Sequence, residues 1–170
     1  MRRIAALGLA LATGCGVAAH PLSTRGVRVE SPVPEDASQT AFVLCRRDAP
    51  PGATIVARYR GCALVAGADV EPELHRKGEM KLGAAKDLRK VDAGLLLKAL
   101  VRWDTLHLVV RHDEDPPGDE YYHPSHREAG CTVRGMPFDY DCPRASIPKL
   151  LAHEHVVDIE VWNRFWVRWK

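Results

Sequence analysis

The stretch that decides the fold is TAFVLCRRDAPPGATIVARYRGCALV, residues 40–65. Residues 40–46 are mainly apolar and include Thr, Phe and Val, which predicts a strand. The Pro50-Pro51-Gly52 sequence predicts a turn. Residues 53–60 alternate in character and predict the partner strand, with the apolar run 61–65 directly after it. This stretch therefore favours an antiparallel sheet.

The middle of the chain is more helical. Asp69 is a candidate N-cap for a short helix that would end at Gly78, and Asp92 is a candidate N-cap for a leucine-rich helix over residues 95–103. Residues 105–112, TLHLVVRH, predict a buried strand. Together these elements predict a single α+β domain over residues 39–170, with a mainly antiparallel β-sheet, one or two helices and stapling disulfides.

The C-terminal residues 155–169 alternate with period two, and the odd positions are largely apolar. This alternation of odd and even positions favours one long bent strand or a three-residue loop centred on Asn163. It also places His155 and Val157 on the face that packs against the core. The even positions are typical of either a partner-binding surface or a face that a helix covers. As an edge strand, this segment would also accept a partner strand. The candidate partner-binding residues on this face are Trp162, Arg164, Trp166 and Arg168.

The cysteine count indicates an oxidising compartment. One of the five cysteines, Cys15, lies close to the N-terminus, where export processing would either modify it or remove it. An even set of four cysteines is then left to form disulfides. The favoured pairing is local, Cys45 with Cys62 and Cys131 with Cys142, although four cysteines allow three connectivities. A zinc site is the alternative, but the chain contains no C-x2-C pair.

The first residues have the organisation of an export signal. Arg2 and Arg3 precede an uncharged apolar run over residues 4–12, which is too short to cross a bilayer. The sequence Ala12-Thr13-Gly14-Cys15 resembles the lipobox of bacterial lipoproteins, although Leu is usual where Ala12 stands. The resemblance implies a signal peptide over residues 1–14 and lipidation of Cys15.

The expected location follows from this leader. Within the lipoprotein resemblance, Gly16 favours an outer-membrane anchor facing the periplasm, because Asp is the residue that tends to retain such proteins in the inner membrane. Residues 15–38 contain several prolines and predict an extended tether. The alternative is cleavage after Ala19, before His20, which would give a soluble periplasmic or secreted protein.

The charge balance excludes one class of partner. Of the 24 Lys and Arg residues, Arg2 and Arg3 lie in the leader, so the mature chain has 22 cations against 22 Asp and Glu residues. A nucleic-acid-binding protein normally carries a clear basic excess, so no nucleic acid is expected as a partner. Membrane contact is expected through the lipid anchor only.

The most unusual stretch is HDEDPPGDEYYHPSHRE, residues 112–128. Its first part is an acidic loop over residues 113–120. His123 and His126 follow with H-x2-H spacing, and Asp119 or Glu128 is available to complete a site for a divalent metal such as zinc, copper or nickel. The plainer alternative is a solvated acidic loop with no metal and no other cofactor.

A second pair, His153 and His155, flanks Glu154 without matching the H-E-x-x-H zinc signature. The strand parity makes these residues core histidines, and the sequence does not show whether the two histidine pairs meet. Ser125 lies between His123 and His126 but lacks a Gly-x-Ser-x-Gly context, so no catalytic residue is assigned.

The function expected from the sequence is a non-enzymatic binding or scaffolding role with another protein of the envelope. One alternative is a periplasmic metal-binding protein that uses the loop of His123 and His126. Another is an inhibitor or immunity-type protein that presents the acidic loop 113–120 to a basic active site. A hydrolase is the last alternative.

Overall fold

The structure, a computed structural model, describes residues 19–67, 74, 76, 78–116, 122–134, 136 and 138–164, without the side chains of residues 19–21, 163 and 164. Several predicted features lie outside these residues. They are the leader, the lipidation site Cys15, the candidate ligand Asp119, and Trp166 and Arg168 of the candidate partner surface. Most of the helix predicted after Asp69 also lies outside them, and its described residues Leu74, Arg76 and Gly78 are not helical.

Within the described residues, ten strands form two antiparallel five-stranded sheets. The first sheet has the order β1-β10-β7-β9-β8, and the second has the order β2-β4-β5-β3-β6. The strands of the first sheet are β1 (Ala19–Pro21), β7 (Thr105–His112), β8 (Thr132–Val133), β9 (Asp139–Pro143) and β10 (Val156–Arg164). Those of the second are β2 (Arg28–Val29), β3 (Thr40–Cys45), β4 (Thr54–Tyr59), β5 (Cys62–Gly67) and β6 (Met80–Ala84).

The helices pack between the sheets. The described helices are α1 (Ala93–Arg102), α2 (Ser125–Ala129), α3 (Ile147–Ala152) and two 3-10 helices, Ala85–Lys90 and Arg144–Ser146. Helix α1 packs on β4 and β5 and reaches β10, while α3 packs on β6 and also reaches β10. One hydrophobic core therefore joins both sheets. Among the described residues, no helix is both long and apolar enough to span a membrane.

The pairing within residues 40–65 differs from the expected hairpin. Strand β3 does not pair with β4. It pairs with β5 and β6, and β5 lies between β3 and β4. The two-residue turn at Arg60 and Gly61, both with positive φ, joins β4 directly to β5. The turn around Pro51 and Gly52 forms as predicted, but it belongs to a longer connection between strands that are not neighbours.

Both predicted disulfides are confirmed. Cys45 bonds to Cys62 across 17 residues, and Cys131 bonds to Cys142 across 11 residues. The first bond joins directly opposed positions of β3 and β5. Each disulfide therefore cross-links one sheet, although Cys45 and Cys62 do not bracket a hairpin, because β4 lies between them in the sequence.

The C-terminal strand forms, but its parity shifts at its first residues. The pairing of β10 with β7 is irregular between Val156 and Asp158. Because of this bulge, Val156 is buried and Val157 is 47% exposed, whereas Ile159 and Val161 face the core as expected. The expected inward direction of Val157 and His155 was wrong for this reason.

Strand β10 is also an interior strand and not an edge. It is hydrogen-bonded to β7 on one side and, over Trp162–Arg164, to β1 on the other, so a partner strand has no access to its backbone at these last residues. The segment expected as a tether supplies its neighbour β1 and the short β2, and it buries Leu22 in the core.

Candidate metal centre

Four histidines from three separate segments meet at one end of the first sheet. His112 is the last residue of β7, His123 precedes α2, and His153 and His155 lead into β10. The ring centroids of His123, His153 and His155 form a triangle with sides of 5.5, 5.7 and 5.8 Å. The ring of His112 stacks on that of His123, with centroids 4.0 Å apart.

The sheet register brings these segments together. Val156 lies opposite His112 in the β10–β7 pair, so His155 enters the strand beside the end of β7. The backbone N–H of Asp113 donates to the carbonyl of His155 at 3.1 Å and fixes this junction. Antiparallel pairing therefore joins two histidine segments that are about 40 residues apart in sequence.

Helix α2 positions His123 and His112. The backbone N–H of Ser125 donates to Nδ1 of His123 at 3.2 Å, and the Ser125 hydroxyl lies 2.7 Å from Nε2 of His112. The helix ends at Gly130, which has a φ of 85° in the left-handed region that glycine tolerates. These contacts hold the two stacked rings in place.

Carboxylates surround the triangle of His123, His153 and His155. Glu128 lies 3.2 Å from Nε2 of His153, and Asp113 lies 3.3 Å from Nδ1 of His155. A cavity of about 330 Å³ runs between these groups. The titratable residues that line it are Glu114, Asp115, His123, Glu128, His153, Glu154 and His155.

Two of the histidines are held in the neutral form. Burial, and then the neighbouring His123 and His153, lower the pKa of His112 to about 4. Burial, and then His153 and His155, also lower the pKa of His123. At neutral pH both rings therefore carry an unprotonated nitrogen, which is the form that binds metal ions.

The structure revises the predicted ligand set. His123 and Glu128 reach the cavity, but His126 does not line it. Instead, Nδ1 of His126 lies 2.6 Å from the carbonyl of His123, and its ring packs 5.3 Å from that of Tyr140. The H-x2-H pair is therefore split, because His123 lies before α2 and His126 lies within it.

The second histidine pair takes the place of His126. His153 and His155 are partly exposed and line the cavity, so the prediction that they are core histidines was wrong. The strand parity misassigned them because the bulge at the start of β10 was not visible in the sequence. His112 was also missed, although it opens the same unusual stretch.

The spacing of the three histidine rings is close to that of a metal site, but the side chains do not have the geometry to hold a metal ion. Among the described residues, no group of three His, Cys, Asp or Glu side chains has the geometry to hold a metal ion. A tetrahedral zinc ion binds imidazole nitrogens at about 2.0–2.1 Å, which places the ring centres roughly 5 Å apart. The observed triangle is therefore only slightly wider than a zinc site requires.

Metal binding at this triangle would require a change in the hydrogen bonds of the histidine rings. Backbone N–H groups point at Nδ1 of His123 and of His153, at 3.2 and 3.3 Å. A metal ion would displace these hydrogen bonds or the protons on the opposite nitrogens. A neutral hydrogen bond contributes about 1 kcal/mol, whereas binding of a structural zinc ion provides about 10 kcal/mol or more.

Ser125 and His112 have the spacing of a nucleophile and its base, but the hydroxyl is not accessible. Ser125 is 0% exposed, and its hydroxyl is hydrogen-bonded to Nε2 of His112. A substrate carbonyl would have no path to this oxygen. The hydrogen bond therefore serves to orient the His112 ring.

The predicted partner surface is present in part. Trp162 is half-buried and donates from Nε1 to Glu160 at 3.1 Å, and Arg111 pairs with Glu160 at 2.8 Å. With the exposed Phe138 they line a groove of about 710 Å³ that continues to His112 and His123. Arg164 is the last residue of β10, and its side chain is not described.

The acidic loop lies against the histidine cluster. Asp113, Glu114 and Asp115 are exposed, and the carboxylates of Asp113 and Glu114 lie 3.3 and 3.5 Å from Nδ1 of His155. Two of the acids that would have faced a basic partner thus contact a histidine of the same chain.

No protein-family model matches this sequence, and neither a curated protein nor a solved structure matches it. The geometry of the site is therefore the basis for a proposed function.

Proposed function

We propose that this chain is an exported, lipid-anchored envelope protein whose domain binds a divalent transition-metal ion at the histidine cluster. The observation that supports the proposal is the triangle of His123, His153 and His155, with centroid separations of 5.5–5.8 Å. Imidazole and carboxylate donors suit zinc, copper and nickel, and zinc is the first ion to test. The two disulfides support an oxidising compartment.

The acids around the triangle suit this role. Glu128 and Asp113 lie within hydrogen-bond distance of ring nitrogens of His153 and His155. A carboxylate is the usual outer partner of a metal-bound histidine, because it fixes the ring and raises the basicity of the donor nitrogen. Glu128 lies close enough to serve as an outer partner or as a fourth ligand.

The test is a calorimetric titration of the purified protein with zinc, with calcium and magnesium as comparison ions. We expect one zinc ion per chain and no saturable binding of the harder cations. His155→Ala and His153→Ala should each weaken zinc binding by more than about tenfold. Near-UV circular dichroism reports whether each variant is folded.

His126→Ala is the matched control. It removes a histidine three residues from His123 whose ring packs against Tyr140 outside the cavity. Zinc binding should stay within about threefold of the parent protein, as expected for a residue that is not a ligand. Absence of stoichiometric zinc in the parent protein, or a loss in His126→Ala equal to that in His155→Ala, would contradict the proposal.

The envelope partner, the Trp162 surface and the inhibitor role of the acidic loop stay predictions. A metal-binding domain is compatible with a non-enzymatic role, and no described residue is assigned to catalysis.

A further inference from the structure

A second cavity, of about 400 Å³, carries a concentration of positive charge. Arg25, Arg60, Lys98 and Arg102 line it together with Tyr59, and no carboxylate is among the described residues that line it. Within the described part of the chain, none of these four cations forms an ion pair within 4.0 Å. The mature chain is formally neutral, so this concentration is a local property.

Lys98 is the organising residue of the pocket. It is 5% exposed, and its Nζ donates to the carbonyls of Ser23 and Arg25 at 2.5 and 2.8 Å. Burial lowers its pKa, and Arg102, Arg60 and Arg25 lower it further through repulsion. A buried cation with three guanidinium neighbours and no described counter-charge is the setting in which a bound anion relieves repulsion.

The backbone at Arg60 adds an independent observation. Arg60 has a φ of 49° in the two-residue turn between β4 and β5, where Asn or Gly is the favoured residue. The turn presents a charged side chain at a position where the backbone favours a small one.

The pocket lies near the expected point of membrane attachment. Ala19 pairs with Arg164 at the end of β10 opposite the histidine cluster, and Leu22 and Ser23 line the pocket. Only three residues lie between Cys15 and Ala19, so the two Cα atoms are at most about 14 Å apart. A lipid on Cys15 would therefore hold this end of the domain close to the membrane surface.

We infer that the pocket of Arg25, Arg60, Lys98 and Arg102 binds a phosphate group, and that the source of the phosphate is an anionic phospholipid headgroup. Arginine fits the tetrahedral phosphate because its N–H groups bind two oxygens at once. The inference that a phosphate group binds depends only on the residues of the pocket. The inference that a membrane phospholipid supplies this phosphate depends also on the proposed lipid anchor at Cys15.

The experiment has two arms, both in a Cys15→Ser background that removes the acyl attachment point. In one arm, the protein is titrated with inorganic phosphate and with chloride as the comparison anion. In the other, the protein is sedimented with vesicles of phosphatidylcholine, with and without phosphatidylglycerol. Arg60→Asn removes the charge and suits the turn, so this variant should fold.

We expect saturable phosphate binding and binding to vesicles that contain phosphatidylglycerol. Arg60→Asn and Arg102→Gln should each weaken both by at least about tenfold, since each removes hydrogen bonds to a charged group. The matched control is Arg28→Gln, which removes an equal charge from β2, where the Arg28 side chain is 81% exposed and pairs with Glu30. Arg28→Gln should change neither arm by more than about twofold.

Each outcome decides a separate point. Saturable phosphate binding without a phosphatidylglycerol effect would support the phosphate site and overturn the headgroup as its source. Equal losses in Arg60→Asn and Arg28→Gln, or no saturable phosphate binding, would overturn the site. Zinc binding is measured at the other end of the sheet, so failure here leaves that proposal unaffected.

Discussion

At the scale of single residues, one carboxylate stabilises the first turn of α1. Asp92 caps α1 as predicted: its carboxylate accepts the backbone N–H of Leu95 at 2.9 Å. The helix then runs to Arg102 with Leu96, Leu97 and Leu100 buried. A cap depends only on its own residue and the next three, which explains why the sequence located it.

Asp92→Ala tests this cap. We expect a loss of about 1 kcal/mol in the free energy of unfolding, because one N–H at the start of the helix loses its acceptor. Urea denaturation followed by circular dichroism gives the difference. Asp92→Asn keeps an acceptor oxygen and should stay within about 0.5 kcal/mol of the parent protein. Equal losses in the two variants would point to charge and not to the cap.

At the scale of secondary-structure elements, period-two patterns predicted the strands but not their irregularities. Strand β10 forms where the alternation indicated, yet the bulge at its start exchanges the directions of Val156 and Val157. A bulge inserts one residue without altering the alternation of the sequence, so parity alone does not place it.

Substitutions at these two adjacent valines distinguish the observed register, in which Val156 faces the core, from the register expected from the sequence, in which Val157 faces the core. Val156→Ala should lower the free energy of unfolding by about 1–3 kcal/mol, since Val156 is 0% exposed and its truncation leaves a cavity. Val157→Ala should lower it by less than about 1 kcal/mol, because Val157 is 47% exposed. Denaturant melts of both variants provide the comparison. A larger loss of unfolding free energy in Val157→Ala than in Val156→Ala would instead support the inward direction of Val157 that the sequence suggested.

At the scale of the whole molecule, the two candidate sites lie at opposite ends of the first sheet. Strand β7 spans about 26 Å over its eight residues. His112 ends it, whereas Arg102 lies just before its beginning. If the Arg102 end faces the membrane, the histidine cluster faces away from it, towards the aqueous compartment from which a metal ion would arrive.

The intact mass of the protein purified from host membranes tests this arrangement. We expect a chain that begins at an acylated Cys15 and contains four oxidised cysteines. Attachment through the short segment of residues 15–19 is needed to hold the Arg102 end of the domain at the membrane. A mass that begins at His20 would instead indicate a freely diffusing exported protein, and would contradict the lipid anchor.

The sequence by itself determined the α+β class, the capped helix α1 and the strands β7 and β10, and it favoured the two local disulfides without excluding the other pairings. Each depends on short-range chemistry or on a repeating pattern within one segment. Only the tertiary structure decided that β5 separates β3 from β4, that β10 is an interior strand, and that His112, His123, His153 and His155 meet. Strand order and register depend on contacts between distant segments, and a residue's type does not encode which distant segment it will contact.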